Sequence, residues 1–331
     1  MSSTRDRRRH WTSARPPAYT MALRAGSAEG HVMKRWLLRA LVALLVVIVA
    51  LAGFVWIRSA AALGQRYAID EPPLALPTDA ASLAQGEHIA TTRGCRICHG
   101  PDLGGHVEVD VPAIGRLAGP NLTRGRGGIG ATLGVADWER AIRHGVAPDG
   151  RPLLFMPIRD FANLSDADTA ALIAWARQVP PVDRDVPPAR VGPAGRALFA
   201  FGRMPNLLEA RLIDQHAPHA AAVAAEPTAA YGRYLASACI GCHGEHFSGG
   251  AIPGLPPSFP KAANLTPDPA TGLGRWSEAD FARTLRTGKR PDGTALDPFM
   301  PWRNLSRMSD TELAALWAYL RTLPPRPRGH R

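Results

Sequence analysis

CRICH at residues 95–99 and CIGCH at residues 239–243 decide the fold of this chain. The two pentapeptides share the pattern Cys-x-x-Cys-His, lie 144 residues apart and contain all four cysteines of a 331-residue sequence. The pattern is typical of c-type haem attachment, in which two thiols form thioethers with the porphyrin and the adjoining histidine becomes an iron ligand. The sequence therefore predicts two covalently bound haem c groups. The residues predicted to hold them are Cys95, Cys98, His99, Cys239, Cys242 and His243.

Other uses of paired cysteines fit this pattern less well. A zinc site requires a second pair of ligands to complete a tetrahedron, and each pentapeptide offers one cysteine pair and one crowded histidine. A thioredoxin-like redox pair requires a strand followed by a helix, which the flanking sequence does not favour. A disulfide within each pentapeptide is sterically poor and leaves the repeated histidine unexplained.

A second axial ligand is predicted from the same repeat. Met156-Pro157 returns as Met300-Pro301, again 144 residues later, and each methionine follows its motif histidine by 57 residues. Asn-Leu-Thr at 121–123 and 264–266 and Pro-Asp-Gly at 148–150 and 291–293 repeat at an offset of 143 residues. We therefore predict that Met156 and Met300 complete the coordination of the two irons, and that the chain contains a duplicated unit.

Other side chains able to ligate iron do not recur in both copies. His106 aligns with Gly250, His144 with Thr287 and Met308 with Leu164. His106 and His144 are therefore interpreted as surface or loop residues. His216 and His219 are interpreted as residues of the connector between the copies.

Histidine and methionine together occupy both axial positions of an iron and raise its reduction potential, so the iron changes valence without binding a substrate. The sequence also offers no nucleophile with a base, no glycine-rich phosphate loop and no supported pair of catalytic carboxylates. Asp166, Asp168, Asp310 and Glu312, at two predicted helix starts, are interpreted as helix caps. These patterns predict an electron carrier rather than an enzyme.

The charge of the chain is concentrated before an apolar segment. Residues 1–39 contain nine Lys and Arg against two acidic residues, out of a net charge of +11 for the whole chain. The residues after 39 carry too little net positive charge for a surface that binds nucleic acid. Residues 40–57 carry no charge and are long enough for a transmembrane helix, with the basic segment kept in the cytoplasm. The alternative is a signal peptide cleaved near Ser59–Ala62, and both interpretations export the rest of the chain.

Three helices are predicted in each copy, and no strands. The first helices lie near Leu83–Arg93 and Tyr231–Ala238, and each leads into a cysteine motif. Middle helices carry Trp138, Ile142 and His144 in the first copy and Phe281, Thr284 and Leu285 in the second, with Ser277 as an N-cap. The last helices begin with capping boxes at Ser165-x-x-Asp168 and Ser309-x-x-Glu312. A short apolar helix is predicted within Leu198–Leu212 of the proline-rich connector.

These motifs resemble the class I cytochrome c family, in tandem, over about 200 of the 331 residues. Gly86 and Gly232 resemble the family's glycine at the crossing of the first and last helices, and the resemblance implies that Trp175 and Trp317 are the facing aromatic residues. Pro120 resembles the loop proline whose carbonyl accepts a hydrogen bond from the motif histidine. The second copy has Ala263 there, with its carbonyl still available.

The resemblance implies a mainly α fold, with an N-terminal transmembrane helix followed by two domains of about three helices around a haem. The predicted segments are a basic cytoplasmic segment (1–39), the transmembrane helix (40–57), a linker (58–77), domain 1 (78–182), a proline-rich connector (183–225), domain 2 (226–325) and a tail (326–331).

The resemblance also implies a function. Membrane-anchored dihaem cytochromes of this family carry electrons from a dehydrogenase or quinol-oxidising complex to another cytochrome or an oxidase. We therefore expect redox protein partners, no nucleic acid, and haem domains on the periplasmic face of a bacterial inner membrane. The alternatives are a soluble periplasmic form after cleavage, a dihaem peroxidase with one open haem, and a haem-based gas sensor.

Overall fold

The computed structural model describes the backbone of residues 19–330 and the side chains of residues 31–330. The chain divides into two compact units, one ending at Phe54 and the other beginning at Val55. One long helix, α1 (Tyr19–Leu63), contains the predicted transmembrane segment. By length and composition, its part His31–Leu63 is able to cross a membrane.

Helix α1 starts earlier than predicted. No structure was expected before residue 33, but the helix begins at Tyr19, because Ala, Leu, Met and Arg are good helix formers even without an apolar stripe. The expectation that residues 1–18 have no regular structure concerns residues that the structure does not describe.

Helices dominate the unit that begins at Val55. Those before the connector are α2 (Ala80–Thr92), α3 (Cys95–His99), α4 (Val135–Glu139) and α5 (Asp166–Ala176). Those of the connector and second copy are α6 (Pro193–Ala200), α7 (Ala229–Ala236), α8 (Ile240–His243), α9 (Glu278–Thr287), α10 (Trp302–Leu305) and α11 (Asp310–Thr322). A π-helical turn, Arg140–His144, continues α4, and 3₁₀ turns lie at Ile158–Asp160, Pro205–Arg211 and Ser237–Cys239.

The predicted middle and last helices and the caps of the second copy are confirmed. Ser277 and Asp280 form a capping box at α9, and Ser309 and Glu312 form one at α11. At α5 the Ser165 hydroxyl accepts from the Asp168 backbone N–H, but the return bond is missing. The Tyr234 hydroxyl instead accepts from the Ser165 backbone N–H and donates to the Asp168 carboxylate at 2.5 Å.

Glycine sets the approach of the first and last helices of each copy. A Cβ on Gly86 of α2 would lie 2.1 Å from the Ala171 carbonyl oxygen of α5, and a Cβ on Gly232 of α7 would lie 1.9 Å from the Ala315 carbonyl oxygen of α11. Real Cβ atoms essentially never approach a backbone atom below 3.0 Å. Both expected helix crossings are therefore present.

The aromatic residue facing Gly232 was assigned wrongly. Trp175 faces Gly86, as expected, but its counterpart at Gly232 is Tyr319, whose Cβ lies 2.7 Å from the position of an added Cβ. Trp317 precedes Tyr319 by two residues, which places it on a different side of the helix. There it packs on Phe281, with ring centroids 5.7 Å apart.

A small sheet corrects the prediction that the copies contain no strands. Strands β1 (His106–Val111), β2 (Gly115–Gly119) and β3 (Arg190–Val191) form an antiparallel sheet in that order. His106 pairs with Gly119 and Val111 with Gly115, with a bulge between Val107 and Val109. Residues 106–111 alternate in polarity, which was the available signal for a strand, but the run is only six residues long and its three valines are exposed instead of joining the core. The corresponding segment of the second copy has one bridge, Gly250–Ala262, because its prolines cannot donate to a ladder.

The two copies contact each other within this unit. The Arg93 guanidinium, from the end of α2, donates to the Leu235 carbonyl at 3.1 Å and to the Ser237 hydroxyl at 2.9 Å. The His88 ring Nε2 lies 2.8 Å from Glu312 Oε2, and the Glu312 side chain is 7% exposed. Polar groups buried in this way stabilise one arrangement of the copies, because each would lose its partner if they separated.

The His88–Glu312 pair predicts a pH dependence of stability. The hydrogen bond between the His88 ring and the Glu312 carboxylate raises the pKa of His88 above 6.5. Burial opposes ionisation of Glu312, but hydrogen bonds from His88 and Ser309 outweigh it and lower the pKa of Glu312 below 4.5. The charged His88 ring therefore stabilises the folded state fully below pH 6.5, and this stabilisation is lost as the pH rises through the raised pKa of His88. The ionised Glu312 carboxylate stabilises the folded state fully above pH 4.5, and this stabilisation is lost as the pH falls through the lowered pKa of Glu312.

We expect His88→Gln to lower the free energy of unfolding by about 1.5–3 kcal/mol between pH 4.5 and pH 6.5, because a charged hydrogen bond is lost. The loss should be smaller at pH 9, where His88 is neutral. Thermal melts of both proteins across this pH range measure the difference. His106→Gln is the matched control, because His106 pairs with Glu108 at 2.8 Å on an exposed surface. An identical cost for His88→Gln at pH 6 and pH 9 would contradict the prediction.

Candidate functional site

The two cysteine motifs lie on equivalent short helices. Helix α3 carries the first motif and follows Gly94, which adopts a left-handed conformation (φ 76°) that glycine favours. In the second copy, Cys239 ends a 3₁₀ turn and α8 carries the rest of the motif. The four cysteines form no disulfide bonds in the structure.

All eight sequence-predicted site residues line one cavity of about 800 Å³. It is as large as the larger small-molecule and cofactor sites of proteins. The eight residues that it brings together are Cys95, Cys98, His99, Met156, Cys239, Cys242, His243 and Met300.

A backbone carbonyl orients each motif histidine. His99 Nδ1 lies 3.0 Å from the Pro120 carbonyl oxygen, and His243 Nδ1 lies 2.8 Å from the Ala263 carbonyl oxygen. A carbonyl only accepts, so each Nδ1 must carry the proton, and each Nε2 keeps a lone pair for a metal. Burial lowers the pKa of His99, which favours this neutral form. The hydrogen bond expected at Ala263 is thus present although proline is missing.

Two asparagines hold these carbonyl-bearing loops, and sequence reasoning gave them no role. Asn121 Oδ1 accepts from the Thr123 backbone and hydroxyl, and Nδ2 donates to the Val182 carbonyl at 2.7 Å. Asn264 makes the same contacts with Thr266 and donates to the Arg326 carbonyl at 2.7 Å. The Asn-Leu-Thr repeat was the available signal. Each asparagine ties the loop to the segment that follows the last helix of its copy.

The two methionines lie in loops. Met156 follows Phe155, which has a left-handed backbone (φ 61°), and Met300 precedes α10. Both side chains are partly buried, and each packs against the apolar core of its own copy. Met308 lies in the second core with 3% of its surface exposed, as Leu164 does in the first at 1%. Met308 is therefore a core residue and does not line the cavity.

The cavity suits a large apolar ring at each motif. Leu122, Trp138 and Trp175 line its first half, and Leu265, Phe281 and Leu316 line the second. Burial raises the pKa of the Cys95 and Cys239 thiols to about 12, so both thiols are protonated at pH 7 when no metal is bound. The residues present therefore fit haem c at both motifs.

The remaining histidines are less uniform than predicted. His106 begins β1 and is partly exposed, and His216 is exposed in the connector. His144, by contrast, is 2% exposed and lies in the π-helical turn after α4, so its interpretation as a surface or loop residue was wrong. The π-helical turn after α4 directs it inwards, towards His219 of the connector.

The cytochrome c family model matches residues 229–324, so a cytochrome c domain is present there. The gluconate 2-dehydrogenase cytochrome c subunit of Pantoea cypripedii is 31% identical over 285 residues, which cover 73% of this chain and 60% of that protein. The fructose dehydrogenase cytochrome subunit of Gluconobacter japonicus is 27% identical over 279 residues, which cover 73% of this chain and 53% of that protein. The cytochrome c subunit of the quinone-dependent alcohol dehydrogenase of Gluconacetobacter polyoxogenes is 39% identical over 85 residues, which cover 24% of this chain and 18% of that protein.

These relatives are cytochrome subunits of dehydrogenases, which agrees with an electron-transfer role and with haem c as the cofactor. The matches cover 60% or less of the length of each of the three relatives.

Proposed function

We propose that this protein is a membrane-anchored dihaem cytochrome c that carries single electrons from a dehydrogenase to a further redox protein. The observation that carries the proposal is the single cavity lined by both cysteine motifs and both methionines. Haem c bound there would supply a metal centre that gains and loses one electron.

The roles proposed for the side chains follow from their chemistry. Cys95 and Cys98 hold one haem, and Cys239 and Cys242 hold the other. His99 and His243 offer Nε2 to the irons, because their Nδ1 atoms are engaged with carbonyls. Met156 and Met300 would offer their thioether sulfurs to the two irons, which would leave no position there for a substrate. Within this proposal the two domains are the segments 78–182 and 226–325.

The proposed partners and location rest on the relatives and on α1. The relatives' names include gluconate, fructose and alcohol dehydrogenases, so a dehydrogenase is the proposed electron donor and a cytochrome or oxidase the acceptor. Helix α1 is proposed as an uncleaved anchor in a bacterial inner membrane, with the unit from Val55 in the periplasm.

Haem counting tests this proposal. Protein made in cells competent for cytochrome maturation is expected to contain two haems per chain by the pyridine haemochrome method and by intact mass. The variants Cys95→Ser/Cys98→Ser and Cys239→Ser/Cys242→Ser should each retain one, because each pair anchors a different ring. A colourless wild type, or a double variant that still binds two haems covalently, would contradict the proposal. Carbon monoxide should not change the spectrum of the reduced wild type; a change would favour an open, enzymatic or gas-binding haem.

A further inference from the structure

Three segments that are distant in sequence place potential metal ligands together, away from the cysteine motifs. Glu71 lies in the linker after α1, His144 lies in the π-helical turn after α4, and His219 lies in the connector. Their ligating atoms, one carboxylate oxygen and two imidazole nitrogens, lie within 4.8 Å of one another. None of the three residues lines the cavity described above.

The spacing of these atoms is close to that of a zinc site. His144 Nε2 lies 3.4 Å from Glu71 Oε1, and His219 Nε2 lies 3.8 Å from the same oxygen. Zinc bonds of about 2.0–2.2 Å in a tetrahedron separate neighbouring ligand atoms by about 3.3–3.5 Å. The two imidazole rings meet edge to face, at 84° with centroids 5.9 Å apart. His219 Nε2 exceeds this spacing from Glu71 by a few tenths of an ångström, and the ligating nitrogens of the two histidines lie within 4.8 Å of each other, so the side chains would move closer together to surround one ion.

Both imidazoles have a buried nitrogen without a hydrogen-bond partner among the described residues. These atoms are Nε2 of His144, whose side chain is 2% exposed, and Nε2 of His219, whose side chain is 11% exposed. A buried polar atom without a partner is energetically costly, and a metal ion bound by these two nitrogens would supply the partner.

Gln215 fixes the tautomer of His144. Its Nε2 donates to the Ala210 carbonyl at 2.6 Å and to the His144 carbonyl at 3.2 Å, which orients its Oε1 towards His144 Nδ1 at 2.9 Å. Because an amide oxygen only accepts, His144 Nδ1 carries the proton. The Nε2 lone pair therefore points at the cluster, the arrangement that metal-bound histidines adopt.

The surrounding charges permit a cation. Arg143, next to His144, donates to Glu139 at 2.8 Å and to Asp166 at 2.7 Å, so two carboxylates compensate its charge. The second oxygen of Glu139 is also buried, and no hydrogen bond to it is found within the described part of the chain. Two imidazoles and a carboxylate suit Zn²⁺ or another late transition metal better than Ca²⁺ or Mg²⁺, which prefer oxygen ligands.

We propose that Glu71, His144 and His219 bind one Zn²⁺ ion, with water as the fourth ligand. The ion would join the linker after α1, the first copy and the connector, and would stabilise the protein by binding only the folded state. This proposal does not depend on the haem assignment, because it uses different residues and a different metal.

Zinc binding to the full-length, tag-free holoprotein tests the proposal. After treatment with a chelator, the wild type is titrated with Zn²⁺ by calorimetry, and bound zinc is counted per polypeptide by elemental analysis. We expect one high-affinity zinc per chain and a rise in Tm with Zn²⁺. Glu71→Gln and His219→Ala should each weaken binding at least about 100-fold, because each removes one of three protein ligands. Gln215→Ala should weaken it by about 10–100-fold.

His216→Ala is the matched control, because His216 is exposed and lies three residues before His219. It should bind zinc as the wild type does. Glu71 and His219 are used because they are less buried than His144, and haem content and Tm without zinc show whether each variant folds. No zinc uptake by the wild type would overturn the proposal. Equal zinc affinity in the wild type, Glu71→Gln and His219→Ala would overturn it too.

Discussion

Met156→Ala is expected to lower the reduction potential of one haem by about 100 mV or more and to leave the other nearly unchanged. Methionine as an axial ligand raises the potential of a histidine-bound haem, and axial ligands together set potentials over about 0.8 V. Met300→Ala should have the same effect on the other haem. Each methionine packs against the core of its own copy, so each substitution should act locally.

A redox titration followed optically measures both potentials. Reduced Met156→Ala and Met300→Ala should also bind carbon monoxide at one haem, because an axial position is opened. Met308→Leu is the control, since Met308 lies in the core where the first copy has Leu164, and a swap of similar volume is tolerated. Titration curves that coincide for the wild type and both alanine variants would show that neither methionine is a ligand.

The sequence was most informative where chemistry fixes the residue type. Covalent attachment requires two thiols and a histidine at fixed spacing, so the motifs near Cys95 and Cys239 were visible without any structure. The fixed offset then selected Met156 and Met300, and both line the same cavity as the motifs. The expected caps at Ser277 and Ser309 are present, because capping depends on residues only three positions apart.

Contacts between distant segments were not predictable in this way. Tyr234 replaces the return bond of the Ser165 capping box, although it comes from the other copy and nothing near Ser165 indicates it. The cluster at Glu71 escaped notice because only one of its residues lies in a repeated segment, where the other copy has Thr287. Comparing copies identifies what they share and conceals what one copy adds.

The error at Trp317 has a different cause. Trp175 and Trp317 were paired because they are the same residue type, at an offset of 142 residues. Ala171 and Ala315, which touch the two crossing glycines, keep the offset of 144. Helix packing depends on position along the helix, so Tyr319 is the true counterpart of Trp175.

Gly232→Val is expected to destabilise the second copy by at least about 3 kcal/mol, the upper range for an overpacked core. The added Cβ would lie 1.9 Å from the Ala315 carbonyl oxygen. That atom belongs to the backbone of α11 and cannot rotate away, so the helices would have to separate and expose Leu235 and Leu316. For a domain of about 100 residues, such a loss lowers Tm by about 12 °C or more. Calorimetry measures it.

Gly86→Val should have an equivalent effect on the first copy, because its added Cβ would lie 2.1 Å from the Ala171 carbonyl oxygen. Gly134→Ala is the control: the nearest atom to its added Cβ is 3.5 Å away, and its cost as a weaker N-cap is about 1 kcal/mol. A Tm for Gly232→Val within the range of this control would contradict the close crossing.

Haem content in the two valine variants then distinguishes two kinds of folding. If 78–182 and 226–325 fold as separate domains, Gly86→Val should lose only the haem at Cys95–His99 and Gly232→Val only that at Cys239–His243. The contacts of Arg93 and His88 with the second copy act against such independence, because unfolding one copy leaves these groups without partners. We therefore expect the intact copy to keep its haem but to melt at a lower temperature than in the wild type. Loss of both haems from either variant would show that the two copies fold as one cooperative unit.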